Sequence, residues 1–153
     1  MSLGGGGGGG QMQQVAQQIE QLEQTKEAIE AEIETLEEEK RDIDEAIDAI
    51  DQLDSGSTVQ VPIGGGAYVR AEVQDIDEVI VDLGADYSAE RDQEGAKSSL
   101  ETKQEKLDDQ IDDLRSEIAE VETQVQELEQ EAEQMQAQQM QQLQQQQQQQ
   151  QDE

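Results

Sequence analysis

The chain has 153 residues with two Tyr, no Phe and no Trp, so it lacks the aromatic side chains that anchor most compact globular cores. It also has no Cys and no His, which excludes disulfides, thiolate nucleophiles, zinc sites with sulfur or imidazole ligands and the usual general base near pH 7. A net charge of −30 makes nucleic acid and anionic membranes poor partners. We therefore expect no enzyme, no cofactor and no metal site.

The chain begins with residues 1–10, which contain seven consecutive Gly and are expected to form a disordered tail. A coiled-coil helix is predicted for residues 11–55, because apolar residues recur there at spacings of three and four over more than five heptads. The d positions are Val15, Leu22, Ile29, Leu36, Ile43 and Ile50, and the a positions are Met12, Ile19, Lys26, Ile33, Lys40 and Ile47.

Residues 57–91 change character and predict two β-hairpins. STVQVPI and AYVRAEV alternate apolar and polar side chains around three Gly, and DEVIVDL and DYSAE follow around a second turn. Two hairpins this short cannot bury an apolar face alone, so we expect this region to be an assembly interface. The residues predicted for this interface are Val59, Val61, Ile63, Val69, Ala71, Val73, Val79, Val81 and Leu83.

A second coiled-coil helix is predicted for residues 92–143, with Asp92 as its N-cap. Residues 144–153 form a Gln-rich run that is expected to be a disordered tail. The d positions are Leu100, Leu107, Leu114, Val121, Leu128 and Met135, and the a positions are Ile111, Ile118, Val125 and Ala132.

The insert is short, so the two helices are expected to pack antiparallel. Their heptads align when the residue numbers of two facing seam residues, one from each helix, add up to 147. The alternative register, one heptad longer, has a sum of 154. The first register places Lys40 beside Asp108 and Lys26 beside Glu122. Lysine at a seam position can bury its stem and extend its ammonium group to a flanking carboxylate, so Lys26 and Lys40 are predicted to specify the register.

A few apolar residues stand among Gln and Gly where the first helix begins and the second ends. Methionine is flexible and polarizable, which suits contacts with varied apolar surfaces. An alternative is that Met12, Val15 and Met135 only close the seam between the helices. Met140 and Leu143 lie beyond the paired region. The candidate binding residues are Met12, Val15, Met135, Met140 and Leu143.

The order helix, two hairpins, helix, with STVQVPIGGGAYVRAEV and VIVDLGADYSAER in the middle, resembles the α subunit of archaeal prefoldin over about residues 11–143. Two hairpins are typical of the α type, and the acidity indicates a haloarchaeal member. The resemblance implies a mainly α fold with a small β insert. In that fold the helices form an antiparallel two-helix coiled coil, and the two hairpins oligomerise into a β-barrel platform.

The resemblance also implies a function. Two α and four β subunits would form a hexamer that holds unfolded client proteins at its coiled-coil tips without ATP and transfers them to a group II chaperonin. No apolar run exceeds three residues and no secretory signal is visible, so a cytoplasmic location without a membrane partner is expected. The alternative function is a structural coiled-coil tether or scaffold that binds a fixed partner.

Overall fold

The computed structural model describes residues 7–151 of the chain. Two long helices flank two small antiparallel sheets, so the predicted mainly α class with a β insert is confirmed. In chain order the elements are α1 Gly7–Gln52, β1 Thr58–Gly64, β2 Ala67–Glu72, β3 Val79–Gly84, β4 Tyr87–Arg91 and α2 Gln93–Gln151.

Both helices extend further toward the chain termini than the sequence predicts. α1 begins at Gly7 rather than Gln11, and α2 ends at Gln151 rather than Leu143. The prediction of disordered tails is therefore corrected for residues 7–10 and 144–151, while residues 1–6 and 152–153 lie outside the described residues. Lengthening an existing helix adds one backbone hydrogen bond per residue, and Gln is a good helix former.

α1 ends before the predicted stop at Ser55 and Gly56. Its last turn closes with a hydrogen bond from the Leu53 amide to the Ala49 carbonyl at 3.0 Å. Asp54 and Ser57 then bind each other twice, since the Ser57 amide donates to the Asp54 carbonyl and the Ser57 hydroxyl accepts from the Asp54 amide, both at 3.0 Å. These bonds turn the chain out of the helix and into β1.

The two predicted hairpins are present, with β1 paired to β2 and β3 paired to β4. Each ladder has a register shift immediately before its loop. The first loop places residues 64–66 at positive φ, which Gly adopts without strain. The second loop repeats this geometry with Gly84, Ala85 at φ 51° and Asp86 at φ 63°, so a Cβ atom is tolerated there at some cost in strain.

The described chain divides into two compact units. One contains α1 up to residue 33 with α2 from residue 113, and the other contains residues 34–112. In the first unit the buried apolar residues are Val15 and Ile29, and in the second they are Val81, Ala96 and Ile111. Every side chain assigned to an a or d position is buried or partly buried, as a coiled-coil seam requires.

Neither α1 nor α2 has a stretch within residues 7–151 that is long and apolar enough to cross a membrane.

Candidate functional site

The end of α1 and the start of α2 are tied together in the unit of residues 34–112, and we call residues 50–57, 73–77 and 92–97 the junction. The Gln93 side-chain amide donates to the carbonyls of Ile50 at 2.7 Å and Leu53 at 3.2 Å. Carbonyl groups in the last turn of a helix have no partner within that helix, so Gln93 satisfies two of them. The start of α2 therefore caps the end of α1.

The N-terminus of α2 is capped as predicted by Asp92. Its carboxylate accepts a hydrogen bond from the Gly95 amide at 2.7 Å, and its carbonyl accepts one from the Ala96 amide at 2.8 Å. A Cβ atom at Gly95 would lie 2.5 Å from the Asp92 carboxylate oxygen, so a larger residue there would require that carboxylate to shift. Ala96 is fully buried beside the cap.

The first hairpin is joined to the junction through its backbone. The Gly56 amide donates to the Val73 carbonyl at 2.7 Å, and the Val73 amide donates to the Ser57 carbonyl at 2.8 Å. The Ser55 hydroxyl accepts from the Ile76 amide at 3.1 Å. These bonds continue the pairing of β1 and β2 beyond the strand ends and hold the hairpin at the base of α1.

Lys97 adds an ion pair across the junction. Its ammonium group lies 2.7 Å from the Asp51 carboxylate and 2.9 Å from the Glu94 carboxylate. The hydrogen bond to Asp51, followed by that to Glu94, raises the pKa of Lys97 to about 12. The group is therefore charged throughout the physiological range and links α1 to α2.

The hairpin residues predicted for assembly differ in exposure. Val61, Ile63, Val69 and Leu83 are exposed, and Ile63 retains 66% of its accessible surface. The partly buried members of the set are Val59, Ala71, Val73 and Val79. Val81 is only 4% exposed, so it already packs within its own unit, and the apolar surface available to a partner is smaller than the predicted set.

Three exposed apolar residues of the hairpins were missed by the sequence prediction. Ile80 and Tyr87 are 74% and 73% exposed, and Tyr68 is also exposed. Because side chains alternate along a strand, Ile80 lies on the face opposite Val79 and Val81. The sequence could have indicated this exposed residue. Val79 to Val81 are three consecutive apolar residues, which places apolar side chains on both faces of β3.

The two seam lysines lie where a positional sum of 147 places them. The Lys26 ammonium group is 3.1 Å from the Glu122 carboxylate, and Lys40 pairs with Asp108. These hydrogen bonds are the main reason that the pKa of each lysine is raised above its ordinary value. A sum of 154 would have moved each partner seven residues along α2.

The predicted binding residues separate into two groups. Val15 is buried at 6% exposure, and Met12 and Met135 are partly buried, so these three lie in the seam. Met140 and Leu143 are 66% and 60% exposed. Every residue from Gln136 to Gln151 is exposed, and Met140 and Leu143 are the large apolar side chains within that stretch.

The exposed apolar side chains of the hairpins and of the α2 end offer surface for binding. Within residues 7–151, no group of three or more Asp or Glu is arranged to hold a metal ion. The lysines with displaced pKa values all owe them to ion pairs between or along the helices. The large apolar side chains that stay exposed to solvent lie on the hairpins and at the end of α2.

Comparison with known proteins identifies relatives of the whole arrangement. The family model described as prefoldin subunit matches residues 17–138, which include both hairpins and most of both helices. A chain of the filamentous PFD from Methanocaldococcus jannaschii is structurally similar, with a TM-score of 0.51 and 30% sequence identity. That similarity covers 76% of this chain and 93% of the other.

Curated relatives match most strongly over shorter stretches. The prefoldin subunit alpha of Haloarcula marismortui is 68% identical over 69 residues, which is 45% of each chain. That of Halorubrum lacusprofundi is 67% identical over 58 residues, or 38% of each chain. The matched stretch thus spans less than half the length of these relatives, and the similarity is to the α type from haloarchaea.

Proposed function

The chain belongs to the prefoldin family, and from this premise we propose that it is a chaperone subunit that holds unfolded proteins without ATP. The observation that carries the proposal is the exposure of Met140 and Leu143 on the last turns of α2, at 66% and 60%. Exposed large apolar side chains in a stretch of helix that is otherwise mostly Gln, residues 136–151, are available to bind apolar segments of a non-native chain.

The hairpins support assembly with β-type subunits of the same family. Ile63, Tyr68, Ile80 and Tyr87 each leave more than half of their surface exposed in the single chain. Isolated two-stranded hairpins are marginally stable, and burying these side chains against another subunit would stabilise them. We propose a hexamer of two α and four β subunits in which the hairpins form a β-barrel platform.

Transfer of clients to a group II chaperonin and a cytoplasmic location belong to the same proposal. Membership of the prefoldin family supports both parts of the proposal. The chaperonin step requires that held clients be released, and contacts through a few flexible side chains such as Met140 suit reversible binding.

Co-expression with a prefoldin β subunit tests the assembly. We expect native mass measurement to give a complex with two copies of this chain and four β subunits. A complex without this chain, or a chain that stays alone, would contradict the assembly proposal.

Substitution at the α2 end tests the holding function in the same complex. Replacing Met140 and Leu143 by Ser should weaken suppression of client aggregation, because the apolar contact area is removed; we expect roughly tenfold lower client affinity. The matched control replaces the exposed Gln141 and Gln142 by Ser, which alters the same helical turns without removing apolar surface. Equal suppression by both variants would contradict the role of Met140 and Leu143.

The alternative tether function predicts a different result in this assay. A tether would bind one partner at fixed stoichiometry and would not suppress the aggregation of several unrelated clients. Assaying at least two unrelated unfolded proteins therefore separates the two functions.

A further inference from the structure

Charged side chains are absent from one part of the molecule. All nine Lys and Arg, and all but two of the 39 Asp and Glu, lie between Glu20 and Glu133. The two exceptions, Asp152 and Glu153, follow the last described residue. We call residues 7–19 and 134–151 the uncharged end, and both segments belong to the same compact unit.

The positions that carry acidic residues elsewhere carry amides in the uncharged end. Its exposed positions in α1 include Gln13, Gln14, Gln17 and Gln18, and the exposed residues 136–151 of α2 are mostly Gln. Gln and Glu have nearly the same shape and similar helix propensity. Folding therefore does not require the exchange, and the difference between the two residues is their charge and their hydrogen-bonding capacity.

From this distribution, and resting on the proposed holding function, we propose that the uncharged end selects non-native polypeptides that are themselves rich in Asp and Glu. Like charges repel over a Debye length of about 10 Å at 0.1 M salt and about 3 Å at 1 M. A carboxylate beside Met140 or Leu143 would therefore repel an acidic client at contact distance, and an amide does not.

The amides also supply an attractive contact. A Gln side chain offers two N–H donors and one carbonyl acceptor, whereas an ionised carboxylate only accepts. Gln can thus donate to client carboxylates in charge-assisted hydrogen bonds, and it can pair with both backbone groups of an extended chain. Met140 and Leu143 provide the apolar contacts between these amides.

A basic client fits this surface less well. Positive charge would be attracted to the acidic section between Glu20 and Glu133, where the excess of Asp and Glu lies. The uncharged end offers it no carboxylate within residues 7–19 and 134–151. Selection then arises from the difference between the affinities for the two kinds of client.

The test uses the complex reconstituted with a β subunit and two fluorescently labelled unfolded peptides. The peptides share the same apolar residues, and every charged position is Glu in one and Lys in the other. The substituted complex carries Gln136→Glu, Gln139→Glu and Gln144→Glu, which place charge around Met140 and Leu143. The matched control carries the same added charge in the acidic section, with Gln110→Glu, Gln126→Glu and Gln130→Glu at exposed positions.

Affinity is measured by fluorescence anisotropy at two salt concentrations at which native mass confirms the complex. We expect the parent complex to bind the Glu peptide more tightly than the Lys peptide. The end variant should bind the Glu peptide roughly tenfold more weakly at the lower salt, equivalent to about 1.4 kcal/mol, and less so at the higher salt. The control variant should bind the Glu peptide like the parent.

Three results would overturn the inference. A parent complex that prefers the Lys peptide, or that binds both peptides equally, contradicts the proposed selection while leaving the holding function intact. An end variant that weakens both peptides equally shows that charge is not the cause. Binding of neither peptide by an assembled complex contradicts the holding function and this inference together.

Discussion

The junction and the uncharged end both contain Gln and Ala, yet these side chains have different roles in the two regions. Gln93 at the junction donates to two carbonyls of α1, whereas Gln142 near the end of α2 is exposed. Ala96 is fully buried and Ala137 is exposed, although both are alanines within α2. The comparison teaches that one helix can be fixed at its start by hydrogen bonds and burial while its other end stays exposed.

The largest expected effect comes from enlarging the buried alanine. Ala96→Leu forces a larger side chain into a site with no accessible surface, which should cost about 1–3 kcal/mol in the free energy of unfolding. Ala137→Leu is the matched control and should stay within about 0.5 kcal/mol of the parent. Urea denaturation followed by circular dichroism measures both, and equal losses would erase the distinction between the two regions.

A smaller effect is expected from the glutamine pair. Gln93→Leu removes the donor to the Ile50 and Leu53 carbonyls and leaves them without that partner, which should cost about 1–2 kcal/mol. Gln142→Leu removes an exposed amide and should leave the free energy of unfolding unchanged. If the same denaturation experiment shows no loss for Gln93→Leu, the cap between α2 and α1 contributes nothing to stability.

The smallest expected effect is the pH dependence of the stability that the Lys97 ion pair gives to the junction. The hydrogen bond to Asp51 raises the pKa of Lys97 to about 12, above its ordinary value of 10.5. Because the folded value is the higher one, this stabilisation is fully present below pH 10.5 and is lost as the pH rises through 12. The melting temperature of the parent should therefore exceed that of Lys97→Gln below pH 10.5, and the difference should shrink toward pH 12.

Lys106→Gln removes an exposed positive charge from the same helix and controls for the change in net charge. A difference between the parent and Lys97→Gln that stays constant over this pH range would show that the ion pair at the junction does not stabilise the fold.

Much of the fold could be predicted because it repeats. Heptad spacing identified the seam, and alternating strands around Gly-rich turns identified both hairpins. Asp92 was recognisable as a cap because a carboxylate just before a helix binds free backbone amides. These features depend on residues close together in the chain, where the spacing of side chains dictates which face they share.

The site was predicted less completely. Met140 and Leu143 follow from the point where the heptads stop, but the exposure of Ile80 beside the burial of Val81 depends on which face of β3 packs within the unit. The role of Gln93 depends on carbonyls of distant residues, Ile50 and Leu53, that folding brings close. Spacing along the chain carries no information about that contact.

Local pattern alone thus specifies two long amphipathic helices, two hairpins and charge-free segments at the start of α1 and the end of α2, since each of these is a property of neighbouring residues. The tertiary structure decides which of several identical residues are hydrogen-bonded or buried and which are exposed. Gln93 and Ala96 are held by contacts with α1 or by complete burial, whereas Gln142 and Ala137 meet solvent. The physical reason is that hydrogen bonding and burial depend on distances between segments far apart in sequence.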